Sequence, residues 1–507
     1  MSLRPIQTPI RSVVPERAAS PPTDAGNPLR RWGLLAAAVL AIAAVVLMTR
    51  FNATIPRYAA TALAAVWLIV LGPITTFVWY WGTTYLILNP FPIPVSVNQI
   101  FGAMFFLSWV WWVAVGLTAR PRTRWLGILT LFFAFNTLSA LLGESRQYGF
   151  VMARQTATYY LFMVALAGVL TTRRRLNVVL WVVVVFAAVS ALIGLAEYAT
   201  QLDFLQQHRN LNKVWLAPRP FAGLPRINGT LPNSIVFATF GLFALPFCYF
   251  LTIWSRNAGL RPVVVVLTLL IAVTSLLTFN RQTIVELGVL FLLLVFLFRS
   301  RYRFFFALIF GAALLLIGPI VLGTTLARVQ QGRTGWDLSV IERRDKILIA
   351  LEILRHKPLF GVGLGSFPEA WDDYINPGEL KFLWLDRTNP QYPDMGYMQL
   401  LAETGVVGFI CQLALLVGIG VRLWRERRRA LAEGQDYKAG LCSLLLSLMG
   451  LIVVVNGFQD FWISPRLSLF YALFLIVATR PRPGESIWQC PAPGTRGSVG
   501  APSISPS

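Results

Sequence analysis

Thirteen continuous apolar stretches divide this 507-residue chain, most of them near the length of a helix that spans a bilayer. They run at about 34–49, 59–88, 98–118, 125–142, 156–171, 177–197, 233–253, 262–279, 283–298, 304–323, 404–423, 439–457 and 466–479. A helix needs about 20 residues to cross the hydrocarbon core. The runs are continuous rather than alternating, and a bilayer admits only backbone whose polar groups are satisfied within the segment, so each is read as helix. Composition points the same way. The chain is 56% hydrophobic and 13% charged, against roughly 45–50% and 25% in soluble domains, which excludes soluble, disordered, collagen-like and disulfide-framework proteins. The expected fold class is an all-α polytopic integral membrane protein with about 12–14 transmembrane helices. The number is open at the start: 59–88 is long and contains Pro73, so it can fold as a short helical pair. That pair would leave both tails on the same side.

Charge orients the helices. There are 44 Lys and Arg against 22 Asp and Glu, a net +22. The basic residues cluster in alternate loops: Arg120, Arg122 and Arg124; Arg173 to Arg175; Arg256 and Arg261; Arg299, Arg301 and Arg303; Arg422 to Arg429; Arg480 and Arg482. Basic loops stay in the cytoplasm, which puts 143–155, 198–232, 280–282, 324–403 and 458–465 outside. Residues 1–32 read as a disordered basic tail, 33–480 as the membrane domain, and 481–507 as a disordered C-terminal tail. The N-terminal tail is too long and polar to precede the apolar core of a cleaved signal peptide. No metal or cofactor is expected: the cysteines are scattered, and the two histidines, His208 and His356, cannot build a multi-histidine centre. No internal repeat is evident, which argues against a carrier built from inverted repeats.

The outside loop 324–403 is the obvious place for chemistry, because loops this long without function are uncommon. It reads as a helix over SVIERRDKILIALEILRHK, a glycine-rich turn, and then a segment of aromatics and carboxylates. Trp371, Tyr374, Trp384 and Tyr397 offer flat apolar faces that suit a sugar ring, while the same rings can serve as interface anchors. Gly361, Gly363 and Gly365 lack the spacing and the βαβ setting of a nucleotide-binding loop. Arg281 stands between two apolar runs with almost no loop, so it belongs at the membrane boundary, either as a functional cation or as a snorkelling one. Arg343 sits among Glu342, Arg344 and Asp345, where a solvated salt-bridged face is the competing reading. Arg226 lies in an outside loop.

Several segments together resemble the O-antigen ligase and O-antigen polymerase superfamily of bacterial membrane glycosyltransferases. They are Arg343 opening an amphipathic helix, the turn Pro358-Leu359-Phe360-Gly361-Val362-Gly363-Leu364-Gly365-Ser366-Phe367, and the helix entry Tyr397-Met398-Gln399-Leu400-Leu401-Ala402-Glu403-Thr404-Gly405. Upstream, Arg226-Ile227-Asn228-Gly229-Thr230 and Asn280-Arg281-Gln282 match as well, so the family-like core spans about 226–460. The resemblance implies a GT-C-like membrane enzyme in the bacterial cytoplasmic membrane, with its large loop in the periplasm. It implies an undecaprenyl-diphosphate-linked glycan as donor, a glycan or lipid as acceptor, no metal and no nucleic acid. A chain-length regulator or flippase would be a further partner. Arg281, Arg343 and Arg226 would hold the diphosphate, whose growing charge suits guanidinium forks. The family's His-Asn aligns with Asp394-Met395 here, so the family histidine is absent. Asp394 is then the expected base and Glu403 the second choice, the latter with a structural role as its alternative. The readings to be separated from this one are a transporter of lipid-linked substrate and a non-catalytic member of a polysaccharide assembly complex.

Overall fold

A computed structural model of the chain describes residues 72–86, 97–115, 123–200, 227–231, 233–255, 259–298, isolated positions within 304–323, and residues 338–374, 395–458 and 464–479. No strand occurs among them. The helices are α1 (Pro73–Leu86), α2 (Val97–Ala114), α3 (Arg124–Leu141), α4 (Arg146–Val169), α5 (Arg173–Thr200), α6 (Ser234–Trp254), α7 (Leu260–Leu276) and α8 (Arg281–Leu297). After these come α9 (Leu338–His356), the short α10 (Phe367–Ala370) continued by a 3-10 turn (Trp371–Tyr374), α11 (Gly396–Ala432), α12 (Asp436–Val455) and α13 (Pro465–Ala478). By length and composition α3, α5, α6, α11 and α12 can cross a membrane, and Ile100–Ala114, α7 and α13 are shorter apolar helices. The chain is an all-α polytopic membrane protein.

Burial sorts these helices. A helix that is apolar all round belongs in the middle of a bundle, whereas one with a single buried stripe lies at its edge. α6 is buried along almost its whole length, from Phe237 to Thr252. α12 and α13 are similarly enclosed. α3 buries only Leu129, Phe133, Asn136 and Ala140, and presents Ile128, Leu131 and Leu138 outward. Aromatic rings fill the centre, as where Tyr85 of α1 stacks on Phe240 of α6 at 4.1 Å. Pro73 opens α1 at its first position, where its missing N–H is not needed. The helix therefore starts at the break expected within 59–88; the part of that stretch before Gly72 lies outside the described residues.

The two ends of the bundle differ chemically. At one end, Arg427 donates to Ser443 Oγ at 2.8 Å and to the Leu297 carbonyl at 2.5 Å, tying the C-termini of α11 and α8 to the start of α12. There too, Glu426 is paired with Arg422, Arg429 and Lys438 at 2.8–2.9 Å, and the Arg173 guanidinium lies 3.9 Å over the Tyr437 ring. The arginine clusters at 173–175 and 422–429 thus share one end. The opposite end carries the turns Leu142–Ser145, Ile227–Asn233, Phe279–Asn280 and the segment around α9 and α10, and is called the loop face below. Helices that begin there are capped by side chains: Ser145 accepts from the Tyr148 N–H, Asn233 from Val236, Asn280 from Gln282 and Ser464 from Leu467. Such caps satisfy N–H groups that an opening helical turn leaves without partners.

Candidate functional site

The glycine-rich turn after α9 is a structural knot. Its chain runs between the α3–α4 corner and the first turns of α11 and bonds to both. The Val362 N–H donates to the Ala402 carbonyl at 3.1 Å and the Gly363 N–H to the Glu403 carbonyl at 2.8 Å. On the other side the Glu144 N–H donates to the Val362 carbonyl at 2.9 Å, and Leu364 N–H to Ser139 Oγ at 3.3 Å. Lys357 closes the corner with an ion pair to Glu144. Gly363 has φ +99°, and a Cβ there would overlap the Cα of Gly143. Two glycines face each other because two backbones pass at contact distance. The run of alternate glycines is therefore explained by packing, without a phosphate.

α11 is bent by the same contact. Gly405 takes φ +64°, ψ −169° inside the helix, and the N–H groups beyond it turn to the knot: Val406 donates to the Pro358 carbonyl at 2.9 Å and Val407 to Leu359 at 3.2 Å. The nine residues before the kink, 396–404, form a separate helical entry at the loop face. A second small core binds this entry to α9 and α10: Ile349, Ile353, Val362, Phe367, Trp371 and Ala402.

The expected site residues fall into place unevenly. Trp371 is 3% exposed and packs inside this small core, while Tyr374 is half-buried with its ring 5.5 Å from that of His356. Tyr397 is half-buried and donates its hydroxyl to the Val453 carbonyl at 2.6 Å, fastening the entry to α12. Glu403 is 1% exposed and accepts from the Phe367 N–H and from Gln399 Nε2, each at 3.4 Å, so its carboxylate holds α10 against the entry. On α9, Asp345, Lys346, Ile349, Ala350 and Ile353 face inward; Arg343 is half-buried beside that stripe, whereas Arg344 is exposed. Asp394, Trp384 and Arg226 lie outside the described residues.

Arg281 opens α8 at the loop face. The preceding Phe279 has φ +50°, a backbone region that a bulky residue rarely enters. Packing against Tyr198, Leu277 and Ile284 holds it there. Backbone outliers of this kind gather at functional sites. The turn after Arg226 is buried against α5 and the end of α1. Glu197 Oε2 accepts from the Asn228 N–H at 3.0 Å and the Gly229 N–H at 2.7 Å, and Thr230 Oγ1 donates to the Tyr85 carbonyl at 2.5 Å. Replacing Glu197 by alanine would leave two buried N–H groups without this acceptor. The expected cost is about 2–4 kcal/mol, read as a lowered melting temperature, and a change of less than a degree would count against it.

Buried charged groups that escaped the sequence reading include Glu197, Glu286 and Arg466. Glu286 is fully buried on α8 and accepts from Gln282 Nε2 at 2.9 Å. Arg466, at the start of α13, is 6% exposed and interacts electrostatically with Glu286, Tyr85 and Tyr159. The signal was present, since each stands at or inside an apolar stretch, where an ionisable residue is unexpected. Among the described residues no group of three or more His, Cys, Asp or Glu side chains could hold a metal ion.

Residues 266–413 match the family model described as O-Antigen ligase. The matched segment begins within α7 and contains Arg281, Arg343, the glycine knot, Asp394 and the kinked start of α11. No curated protein matches the chain.

Proposed function

With residues 266–413 supporting membership of the O-antigen ligase and O-antigen polymerase superfamily, we propose that this chain is a glycosyltransferase of the bacterial inner membrane. It moves glycan from an undecaprenyl-diphosphate-type donor to an acceptor sugar at the periplasmic face, as an O-antigen or exopolysaccharide polymerase or an O-antigen ligase. Asp394 in place of the family histidine favours the polymerase branch. The observation that carries the reading is the loop face itself. The knot joins α9, with Arg343, to the entry of α11, on the same end of the bundle as Arg281.

The chemistry follows from those residues. The acceptor hydroxyl oxygen attacks the anomeric carbon while the bond from that carbon to the diphosphate breaks. The bonding pair leaves with the diphosphate, and the hydroxyl proton passes to Asp394. Arg281, Arg343 and Arg226 neutralise the charge that gathers on the departing phosphate oxygens, the step where preorganised cations lower the barrier most. Tyr374, Tyr397 and Trp384 would meet sugar faces, while Trp371, buried in the small core, would support them rather than touch sugar. Glu403 fixes the helix entry that Asp394 precedes.

A transporter is disfavoured by where charge lies. In the described helices the ionisable Asp, Glu, Lys and Arg residues gather toward the two ends, and the spans between, such as 439–455 in α12 and 404–421 in α11, carry none. A substrate pathway for a charged head group would need polar groups along the middle.

The test is purified full-length protein in lipid nanodiscs with a defined polyprenyl-diphosphate oligosaccharide. Ladders of lengthened lipid-linked glycan are expected for a polymerase, and glycan on a lipid A-core acceptor for a ligase. No transfer with either acceptor, and no binding of the donor, would end the proposal.

A further inference from the structure

Two outward-facing apolar stripes converge on the glycine knot. On α11 the exposed side chains Val421, Val417, Leu413, Ile410 and Val406 recur every three or four residues, so they share one helix face from Arg422 to the kink. On α3 the exposed Ile128, Leu131, Leu138 and Leu141 form a second such face from Arg124 to the α3–α4 corner, and Leu142 prolongs it. In a bundle of membrane helices, apolar side chains turned outward along a whole span are covered by acyl chains. Both faces end where the knot begins. The Val406 N–H donates to the Pro358 carbonyl and the Val407 N–H to the Leu359 carbonyl, while Gly143, next after Leu142, abuts Gly363.

The knot does not close these faces with polar groups. Leu359 and Phe360, at its tip, are each 60% exposed. Two large apolar side chains are thus held outward by a backbone that bonds to the first residues of the α11 span. Just before them the chemistry reverses: Arg355 and His356 are exposed, and Lys357 pairs with Glu144. Basic side chains beside an apolar wedge suit a segment that lies among head groups with its apolar side chains below them. Depth agrees. The uncharged residues 406–421 of α11 rise about 24 Å and 125–142 of α3 about 27 Å, less than the roughly 30 Å of a hydrocarbon core. Tilt would shorten both further. The knot then falls at the edge of the hydrocarbon rather than in the water beyond it.

We propose that the turn 358–360 is a membrane anchor: Leu359 and Phe360 insert among the acyl chains of the leaflet on the loop-face side, with Arg355, which pairs with Glu352, at the depth of the phospholipid head groups. Lipid is the occupant of this patch because the patch continues two faces, on α3 and α11, that lipid already covers. Insertion gives the segment 338–374 an attachment besides its bonds to Ala402, Glu403 and Ser139. It holds α9, α10 and the entry of α11 at head-group depth, where a lipid-borne substrate presents its polar group. The inference depends on α3 and α11 spanning the membrane and not on the transfer reaction proposed above.

The experiment uses the full wild-type chain in phosphatidylcholine nanodiscs that contain a phospholipid with a photoactivatable diazirine on its acyl chain near the glycerol. After illumination, mass spectrometry should find lipid adducts on residues 358–360 and on 406–413, and none on the exposed turn residues Glu433 and Gly434. Adducts on 406–413 without any on 358–360 would overturn the anchor. Their absence from both would remove the lipid-facing reading of α11 and the inference with it. Depth is read from Phe360→Cys carrying an environment-sensitive fluorophore, with Cys248, Cys411, Cys442 and Cys490 replaced by alanine. Lipids spin-labelled near the glycerol should quench it several-fold more than aqueous iodide does, with the reverse order for Glu433→Cys. Iodide quenching as strong as at Glu433→Cys would place the tip in water and overturn the proposal. Protection from both quenchers would overturn it too, in favour of a second copy or another protein segment as the cover. Should the cysteine variant not fold, the adducts on wild-type protein decide. Neither readout needs transfer activity, so the result is separate from that of the reaction proposed above.

Discussion

Replacing Arg281 by alanine is expected to lower glycan transfer by about 10²–10³-fold, the range seen when one preorganised group is removed from a developing negative charge. The effect should fall on turnover more than on folding. Arg281 is the first residue of α8, and the cap that starts the helix comes from Asn280, whose side chain accepts from the Gln282 N–H. Alanine keeps that cap and is itself a good helix former. Arg281→Lys should recover part of the activity, because a point charge replaces a fork that can hold two oxygens. The control is Arg174→Ala, an exposed arginine at the opposite end of the bundle, which should leave transfer unchanged. Equal losses in both variants would show that net charge, not the position of Arg281, matters. Transfer is measured on protein whose melting matches wild type.

Gly363→Ala should undock the loop segment from the bundle. Two costs add: a Cβ at φ +99° is strained, and it would meet the Cα of Gly143, backbone that cannot turn aside as a side chain would. Together they come to about 3 kcal/mol or more. The bonds lost with the contact are those of Val362, Gly363 and Leu364 to Ala402, Glu403 and Ser139. The bundle core shares no residue with the small core of Ile349, Ile353, Phe367 and Trp371, so the damage should be local. Limited proteolysis should cut between 338 and 374 in the variant and spare it in the wild type, with helix content nearly unchanged. Resistance equal to wild type would show that the knot tolerates the extra carbon. Transfer should fall with docking, because the knot carries the entry helix that follows Asp394.

The sequence made some features legible because they depend on local chemistry alone. Apolar runs such as 177–197 and 439–457 specify helices wherever they are placed, since a bilayer permits little else; α5 and α12 lie over them. Helix α9 and a helix entry over 397–405 were legible in the sequence, but the kink at Gly405 was not. The role of the glycines was only half legible. Their spacing argued against a nucleotide, but that Gly363 faces Gly143, about 220 residues earlier in the chain, is a long-range fact. The arginines divide in the same way. Arg281 was visible because so little polar sequence surrounds it. Arg466 was hidden in a run of ordinary helix-starting residues, and Glu197 looked like the end of a span.

The sequence by itself determined that this is a bundle of membrane helices, with most of its arginines on one face and one long loop on the other. Hydrophobicity and charge act residue by residue, so they can be read without knowing neighbours. Only the tertiary structure decided which charges meet which partners: Glu197 with the turn at Asn228 and Gly229, Glu403 with α10, and Glu426 with Lys438. Those pairings depend on how separate elements pack. Where water is excluded, a charge is tolerable only if another element brings it a partner.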